Sequence, residues 1–392
     1  MTGPGWGSGP WSPPWSPPWD GPGNGSPPVP TGRPPRPVTP PGTPPHDVPQ
    51  PHALLMRTRD WAWWRPLLGL LLLAVLYSVA AFVVVILALL TGATPDLALT
   101  DLTDPAVLLI TNASLIVAVP IVWVCWAVAH GVRIGWSSSV LGRLRWRLIL
   151  PWTLRALPTL GLAVAATVVL PLAAGGARVS GPDASLVGLL LVVLLTTPLQ
   201  SAAEEYVFRG YLGQAIAGWI GHRTAGPVVA AVVTAALFSA AHVPADWPTF
   251  LYRFAMGLAL SAVVWLTGGL EAAIVLHAVN NVVLFVLAGL LGDNAVSTES
   301  TAVVDGISML LGVLGMAGYV AWVAASRRSL RPELVCPAVD LRGPGQPGPV
   351  PFPFPAARPP ARWSPPPPDD RWARPQFPDQ GGPGGRGPGG GA

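Results

Sequence analysis

Three charged side chains stand close together in a segment that is otherwise apolar. Glu204, Glu205 and Arg209 follow the run SLVGLLLVVLLTTPLQ, which has the composition of a membrane helix. A charged side chain near the middle of such a helix costs roughly 2.5–3.5 kcal/mol on insertion scales. Three of them together indicate a functional or structural site inside a membrane.

The spacing of these three residues predicts different roles for them. Residues four apart share one face of a helix, so we expect Glu205 and Arg209 to form an ion pair. Glu204 is rotated by about 100° from Glu205 around the helix. We therefore predict that Glu204 has no partner at that spacing and is available for chemistry. A purely structural ion pair is the alternative interpretation of Glu205 and Arg209.

Two later apolar runs contain polar residues at the same four-residue spacing. FSAAH places Phe238 and His242 at the end of one run. HAVNN places His277 and Asn281 on one face of another run, with Asn280 beside them as a residue that packs or that supports the site residues. The polar residues of the apolar runs are therefore concentrated in three helices.

The depths of these residues in the membrane are expected to match. Residues 204 and 242 lie about equally far from the turn near 218–226, so an antiparallel hairpin brings them level. His277 is six residues from the start of its run. We expect all three in the cytoplasmic third, with a fifth helix that crosses the membrane incompletely.

The chemistry available to such a cluster is amide hydrolysis. A carboxylate and an imidazole that converge on one water molecule can deprotonate it for attack on a carbonyl. An imidazole N–H and an asparagine amide can stabilise the oxyanion that forms. Alternatively, Glu204, His242 and His277 could hold a zinc ion whose bound water is the nucleophile.

Together the three motifs resemble those of the CPBP family. EEYVFR, FSAAH and HAVNN occur in the family's order, within about residues 185–292. The family consists of intramembrane proteases and includes the type II CAAX prenyl endopeptidases and bacteriocin-processing or self-immunity proteins. Each motif is weak evidence alone, whereas three in order, each in an apolar run, are specific.

The resemblance implies a role for each matching residue. It implies six site residues: Glu204, Glu205, Arg209, His242, His277 and Asn281. Glu204 and His242 would activate the water, and Glu205 and Arg209 would support the site. His277 and Asn281 would bind the oxyanion or a metal. The family is compatible with both a zinc-dependent mechanism and a metal-free glutamate mechanism.

Two other classes of function remain open. A non-proteolytic scaffold or self-immunity protein of the same fold would keep the polar cluster for structure or for partner binding. A transporter would also place carboxylates and histidines at depth. The transporter is disfavoured because the apolar segments show no repeat in corresponding halves.

The composition is that of a membrane protein. Of the 392 residues, 51% are hydrophobic and 11% are charged, whereas soluble domains are about 25% charged. The net charge of +4 is too small to indicate a nucleic-acid partner. We expect the lipid bilayer and a membrane-associated peptide or protein substrate as partners.

Eight apolar runs predict an all-α polytopic membrane protein with about eight transmembrane helices. A bilayer core requires about 20 apolar residues per helix, and most runs meet this length. The runs are 66–91, 106–129, 149–174, 185–206, 225–243, 250–267, 271–292 and 302–325. They define a transmembrane domain over residues 59–328, with the protease core at 185–292.

The segments on either side of this domain are rich in proline and glycine. Residues 1–58 carry the repeat WSPPWSPPWD, and residues 329–392 carry WSPPPPDD. Neither segment can bury enough apolar surface to offset its ordering entropy, so we predict disordered tails. A partner that binds proline motifs is the alternative use of the tails.

The distribution of arginine predicts the orientation. The loop after the first run has three aspartates and no basic residue. Arginines flank the other ends of the first, second and eighth runs: Arg57, Arg59, Arg65, Arg133, Arg143, Arg145, Arg147, Arg327, Arg328 and Arg331. Positive residues stay on the cytoplasmic side, so both termini are predicted to be cytoplasmic. The absence of lysine suggests a GC-rich gene and a bacterial cell membrane.

Overall fold

A computed structural model describes residues 43–92, 101–174, 179–292 and 302–341. Within them the chain is mostly helical, which confirms the predicted all-α class. The predicted disorder and partner binding of the proline-rich tails concern mainly residues 1–42 and 342–392, which lie outside the described residues.

Eight long helices make up the described part of the chain. They are α1 (Arg65–Leu90), α2 (Pro105–His130), α3 (Trp146–Ala173), α4 (Leu186–Ile220), α5 (Ala225–Ala241), α6 (Trp247–Thr267), α7 (Glu271–Leu291) and α8 (Ala302–Leu330). Seven of them are long and apolar enough to cross a membrane, and α5 is the shorter one. The polytopic membrane fold follows from these lengths.

Helices α5 and α6 form an antiparallel hairpin, and α5 is shorter than a helix that spans a bilayer. The 17 residues of α5 span about 25 Å, less than the roughly 30 Å of a bilayer core. Asp246 ends the turn by accepting a 2.7 Å hydrogen bond from the backbone N–H of Thr249, which caps α6. The short α5 agrees with the expectation of an incomplete fifth span, and it leaves His242 at the tip of the hairpin.

The two chain segments that flank the helices meet each other. Strand β1 (Gln50–Pro51) pairs antiparallel with strand β2 (Val335–Cys336). Arg59 forms a 2.5 Å ion pair with Asp47 and donates a 2.9 Å hydrogen bond to the carbonyl of Val339. Both flanks therefore lie at one end of the bundle, which requires an even number of crossings.

These contacts correct the predicted boundaries of the tails. The predicted disorder over 1–58 and 329–392 is wrong for residues 43–58 and 329–341, which fold against the helices. The physical reason is the short apolar segment HALLM, because Leu54, Leu55 and Met56 are almost completely buried. Because prolines flank this segment, its amino-acid composition does not predict that the three apolar side chains are buried.

A buried ion pair fixes the start of α7 at the same end. Arg145 donates two hydrogen bonds to the carboxylate of Glu271, at 2.9 and 2.6 Å. The side chain of Glu271 is fully buried, although it is the first residue of α7. Arg145 also contacts Glu333, which follows α8. We call this end of the bundle, with Arg59, Arg145 and both flanks, the arginine-rich end.

Candidate active site

The three charged residues of α4 point into the bundle. Glu204 is 9% exposed, Glu205 is fully buried and Arg209 is 4% exposed. The helix widens into one π-helical turn at Phe208–Leu212, directly after the two glutamates. Such single π-helical turns occur frequently at functional sites. Here the wide turn includes Arg209.

Two histidines from other helices converge on Glu204. The Oε2 atom of Glu204 lies 3.8 Å from Nε2 of His242 and 3.5 Å from Nε2 of His277. His242 follows the last residue of α5, and His277 lies in the second turn of α7. The predicted meeting of the three side chains is confirmed. Because α7 begins at the arginine-rich end, the cluster lies closer to that end.

The two oxygen atoms of Glu204 have different surroundings. Oε1 accepts a hydrogen bond from the Nε2 amide of Gln200, whereas the buried Oε2 has no hydrogen-bond partner among the described residues. The prediction that Glu204 has no partner four residues away is therefore wrong, because Gln200 precedes it by one helical turn. A glutamine inside the apolar run LTTPLQ is the signal that could have revealed it.

Glu205 connects Arg209 to His277. Its Oε1 atom accepts a hydrogen bond from Nη1 of Arg209 at 3.0 Å and contacts Nδ1 of His277 at 2.9 Å. The predicted ion pair is thus confirmed and buried. The carboxylate of Glu205 accepts the hydrogen bond of Nδ1 and thereby orients the ring. In this orientation Nε2 of His277 faces Glu204.

The orientation of His242 is fixed by its own helix. Nδ1 lies 2.7 Å from the carbonyl oxygen of Phe238, so this nitrogen carries the proton that is donated. When the ring is neutral, Nε2 therefore presents a lone pair toward Glu204. The side chain is 32% exposed, which leaves Nε2 accessible to a water molecule.

The phenylalanine of the second motif supports both rings. The ring centroid of Phe238 lies 4.6 Å from that of His242 and 5.5 Å from that of His277. The guanidinium carbon of Arg209 lies 5.0 Å from the same centroid. Phe238 thus packs against Arg209 and against both imidazoles, and its ring restricts the positions of the two histidine side chains.

The asparagines of α7 reach Glu204 through Gln200. Nδ2 of Asn281 donates a 3.3 Å hydrogen bond to Oε1 of Gln200. Nδ2 of Asn280 donates a 3.0 Å hydrogen bond to Oδ1 of Asn281. A chain of three amides therefore ends on the Glu204 carboxylate, and of the two roles expected for Asn280 it supports the site residues.

A cavity of about 890 Å³ opens beside the cluster. This volume is typical of pockets that hold small ligands or short peptides. Its wall includes Gln200, Glu204, Arg253 and Asn281, and it extends along the bundle to Asp101 before α2. Arg253 donates a 3.1 Å hydrogen bond to the carbonyl of His242. Arg253 thus connects the wall of the cavity to the backbone that carries His242.

The cluster does not fit a metal ion in this arrangement. Within the described ranges, no group of three or more His, Cys, Asp or Glu side chains is arranged to hold one. Two ligands of one tetrahedral zinc ion lie about 3.3–3.4 Å apart, given zinc–ligand distances of about 2.0–2.1 Å. The 3.5 and 3.8 Å separations from Glu204 to the two histidines are wider.

The family comparison agrees with this geometry. Residues 184–283 match the family model described as Rce1-like, type II CAAX prenyl endopeptidase. This segment forms an Rce1-like domain. It spans about a quarter of the chain and contains all six predicted site residues. Neither a curated protein nor a solved structure matches the chain.

The Rce1-like domain belongs to a family of proteases. At the level of the family, it supports a CAAX-type intramembrane endopeptidase. The domain and the seven apolar helices together identify an integral membrane protein. The resemblance to the CPBP family, which rested on three short motifs, is confirmed.

Proposed function

We propose that this protein is an intramembrane endopeptidase in which Glu204, assisted by His242, activates a water molecule. The supporting observation is the Oε2 atom of Glu204, which is buried without a hydrogen-bond partner and faces two imidazole nitrogens. An unpartnered buried carboxylate oxygen is costly unless it serves a purpose. A water molecule at this position completes its hydrogen bonding and is the nucleophile.

The first step is attack on the carbonyl carbon of the substrate. Glu204 takes one proton from the water through Oε2, and Nε2 of His242 accepts a hydrogen bond from the other proton. The water oxygen then forms a bond to the carbonyl carbon, which becomes tetrahedral. A general base in this role typically contributes a factor of about 10²–10⁴ to the rate.

Two side chains of α7 are placed to stabilise the oxyanion. Nε2 of His277 lies 3.5 Å from the Oε2 atom of Glu204, and Glu205 holds the ring of His277 through Nδ1. With a proton on Nε2, His277 donates a hydrogen bond to the developing oxyanion, together with the second N–H of the Asn281 amide.

The second step breaks the bond between carbon and nitrogen. The tetrahedral intermediate collapses, and the carboxylic acid of Glu204 gives its proton to the leaving amine. The products are a carboxylic acid and an amine, and Glu204 returns to its ionised form. Glu205 remains bound to Arg209 throughout and keeps the ring of His277 in place.

The substrate that we propose is a membrane-associated peptide or protein, with prenylated CAAX-type chains as one class. The cavity supports this proposal because it lies among the membrane-spanning helices, and α2 to α8 all contribute to its wall. A substrate that reaches this cavity has to enter the helical bundle. We further propose a bacterial cell membrane as the location, with the arginine-rich end in the cytoplasm. The arginine distribution supports this orientation.

Replacement of Glu204 by glutamine tests the proposed base. The amide keeps the shape and hydrogen bonding of the side chain, but it cannot accept a proton from water. We expect Glu204→Gln in proteoliposomes to cleave a panel of membrane-associated peptides about 10²–10⁴ times more slowly than the parent. Its thermal stability in detergent should be unchanged or higher, because a buried charge is removed.

The same acid-to-amide change at a remote site is the control. Asp183 lies in the loop before α4 and is exposed, so Asp183→Asn should cleave at the parental rate. Retained cleavage in Glu204→Gln would contradict the proposed base. Binding of peptides without cleavage by the parent would favour a scaffold. A loss of parental activity in a chelator, restored by zinc, would instead support the zinc route.

A further inference from the structure

A second pocket lies at the arginine-rich end, separate from the catalytic cavity. It has a volume of about 320 Å³ and lies between the segment before α1, the ends of α6 and α8, and strand β2. We call it the basal pocket. Its polar wall includes His52, Arg209, Arg223 and Arg327.

The wall of the basal pocket combines apolar residues with one sign of charge. Most of it consists of proline, alanine, valine and leucine side chains, such as Pro227, Ala231 and Leu258. Three arginines line it, whereas none of the lining residues within the described ranges is acidic. An apolar pocket with an excess of guanidinium groups is complementary to an amphiphile with an anionic headgroup.

Two buried polar atoms in this wall lack a partner within the described part of the chain, Nε of Arg209 and Nδ1 of His52. Both side chains are more than nine-tenths buried. Burial lowers the pKa of His52 to about 4, so this imidazole is neutral at neutral pH. Nε2 of His52 lies 3.2 Å from the carbonyl oxygen of Ser137, which leaves Nδ1 as an acceptor, so only the N–H donor of Arg209 suits an anionic ligand. The charge of Arg209 is compensated by Glu205, and the guanidinium groups of Arg223 and Arg327 are therefore the candidates for an anionic headgroup.

The pocket borders the surface that faces lipid. Val228 lines it and is 54% exposed, and it lies on the outer face of α5. Tryptophans mark the same level of the bundle, since Nε1 of Trp219 donates a 2.8 Å hydrogen bond to the carbonyl of Trp63. Tryptophan is enriched where a membrane meets water. We therefore expect lipid headgroups at the height of the basal pocket.

We propose that the basal pocket binds an anionic phospholipid from the leaflet at the arginine-rich end. One acyl chain lies against the apolar wall between α5 and α6, and the phosphate is held by Arg223 and Arg327. Guanidinium groups bind phosphate oxygens through paired hydrogen bonds, which favours arginine for this purpose. The proposal does not depend on proteolytic activity, because the pocket is outside the catalytic cavity.

Retention of lipid by the purified protein tests this proposal. The full chain is reconstituted in vesicles with equal amounts of phosphatidylglycerol and phosphatidylcholine, extracted in mild detergent, and analysed for both lipids. We expect the parent to retain phosphatidylglycerol in excess. Each of Arg223→Gln and Arg327→Gln should lower the ratio of the two retained lipids about tenfold, as expected for the loss of hydrogen bonds between a guanidinium group and a bound phosphate.

Arg328→Gln is the matched control for charge. Arg328 is adjacent to Arg327 and exposed, but it does not line the pocket. It should leave the ratio within about twofold of the parental value, since it loses only screened surface attraction. Equal losses in Arg327→Gln and Arg328→Gln would overturn the proposal and show attraction to the surface in general.

Filling the pocket without a change of charge is the second test. Ala231→Phe and Ala262→Leu each place additional carbon atoms in the apolar wall. Either variant should abolish the excess of phosphatidylglycerol while all three arginines remain. The ratio of the two lipids is measured on folded protein only. If one of the two variants does not fold, the ratio in the other variant tests the proposal. Parental retention in a folded variant would overturn the proposal.

Discussion

The position of the Glu204 carboxylate depends on a residue that is not acidic, basic or aromatic. Gln200 donates to one oxygen of Glu204 and leaves the other oxygen for the two histidines. Its own carbonyl oxygen accepts a hydrogen bond from Asn281, which holds the amide in that orientation. Gln200 is thus a positioning residue, and it links the first and third motifs across two helices.

We predict that Gln200→Leu lowers kcat by about tenfold to a hundredfold, with KM nearly unchanged. The reason is the loss of one hydrogen bond to a charged group, which is worth roughly 1.5–3 kcal/mol. Peptide cleavage in proteoliposomes measures both constants. Thr196→Val is the matched control, because Thr196 is on the same helix but contacts Asn112. Equal kcat values in the two variants would show that Gln200 does not position the carboxylate.

The pair of Glu205 and Arg209 is expected to affect folding more strongly than chemistry. Arg209→Ala leaves Glu205 without its cation and removes one of the donors to the Gly257 carbonyl, at a cost of roughly 3–5 kcal/mol. The yield and thermal midpoint in detergent should therefore fall. The double variant Glu205→Gln with Arg209→Met should recover part of the loss. Parental melting of Arg209→Ala would contradict the buried pair.

At the scale of the helices, the hairpin of α5 and α6 positions His242. The two helices approach closely where Gly257 faces Ala235, because a β-carbon on Gly257 would lie 2.7 Å from Ala235. At that point the carbonyl of Gly257 accepts a 2.9 Å hydrogen bond from Arg209. The glycine therefore brings α6 near enough to α4 and α5 to complete the arginine's contacts.

A single methyl group should be sufficient to disturb this contact. We predict that Gly257→Ala destabilises the protein by roughly 1–3 kcal/mol through overpacking and lowers its thermal midpoint. The same change at Gly306 of α8 is the control, since no atom lies within 4 Å of the β-carbon there. Gly306→Ala should be neutral or stabilising, because alanine favours a helix over glycine. A midpoint for Gly257→Ala equal to that of Gly306→Ala would contradict the close approach.

Sequence spacing predicted the elements of the site but not all of their contacts. The pairing of Glu205 with Arg209 follows from one helix, and the level of His242 follows from counting along a hairpin. Gln200 and the pair of Arg145 and Glu271 were not predicted. The contact of Gln200 with Glu204 lies within one helix and could have been predicted from the four-residue spacing, whereas its contact with Asn281 depends on how α4 packs against α7. Arg145 and Glu271 are 126 residues apart in the sequence, and only the folded loop before α3 brings them together. The amino-acid composition likewise did not predict that residues 43–58 and 329–341 fold against the helices.

At the scale of the whole molecule, the two flanks tie the bundle at one end. Strands β1 and β2 pair with each other, and Arg147 donates a 3.1 Å hydrogen bond to the carbonyl at the end of α8. Arg145 connects the loop before α3 to both α7 and the segment after α8. The contacts of Arg145 therefore fix the start of α7 at the arginine-rich end. They also fix the position of His277 along the bundle, because His277 lies six residues after Glu271 on the same helix.

This arrangement makes the orientation of the protein testable with single cysteines. Asp183 lies in the loop between α3 and α4, and His222 lies between α4 and α5, so the two are at opposite ends of α4. Both are exposed, whereas the native Cys125 and Cys336 are buried. The native thiols should therefore give little background when a membrane-impermeant maleimide is added to intact cells.

We predict that Asp183→Cys is labelled from outside and that His222→Cys is labelled only after the membrane is opened. Positively charged segments stay in the cytoplasm, and the arginine-rich end holds both flanks and the turn before α5. The active-site cluster, which is closer to that end, would then lie in the cytoplasmic half of the membrane. The opposite labelling pattern would reverse the orientation and move the cluster to the outer half, although the contacts within the site would remain unchanged.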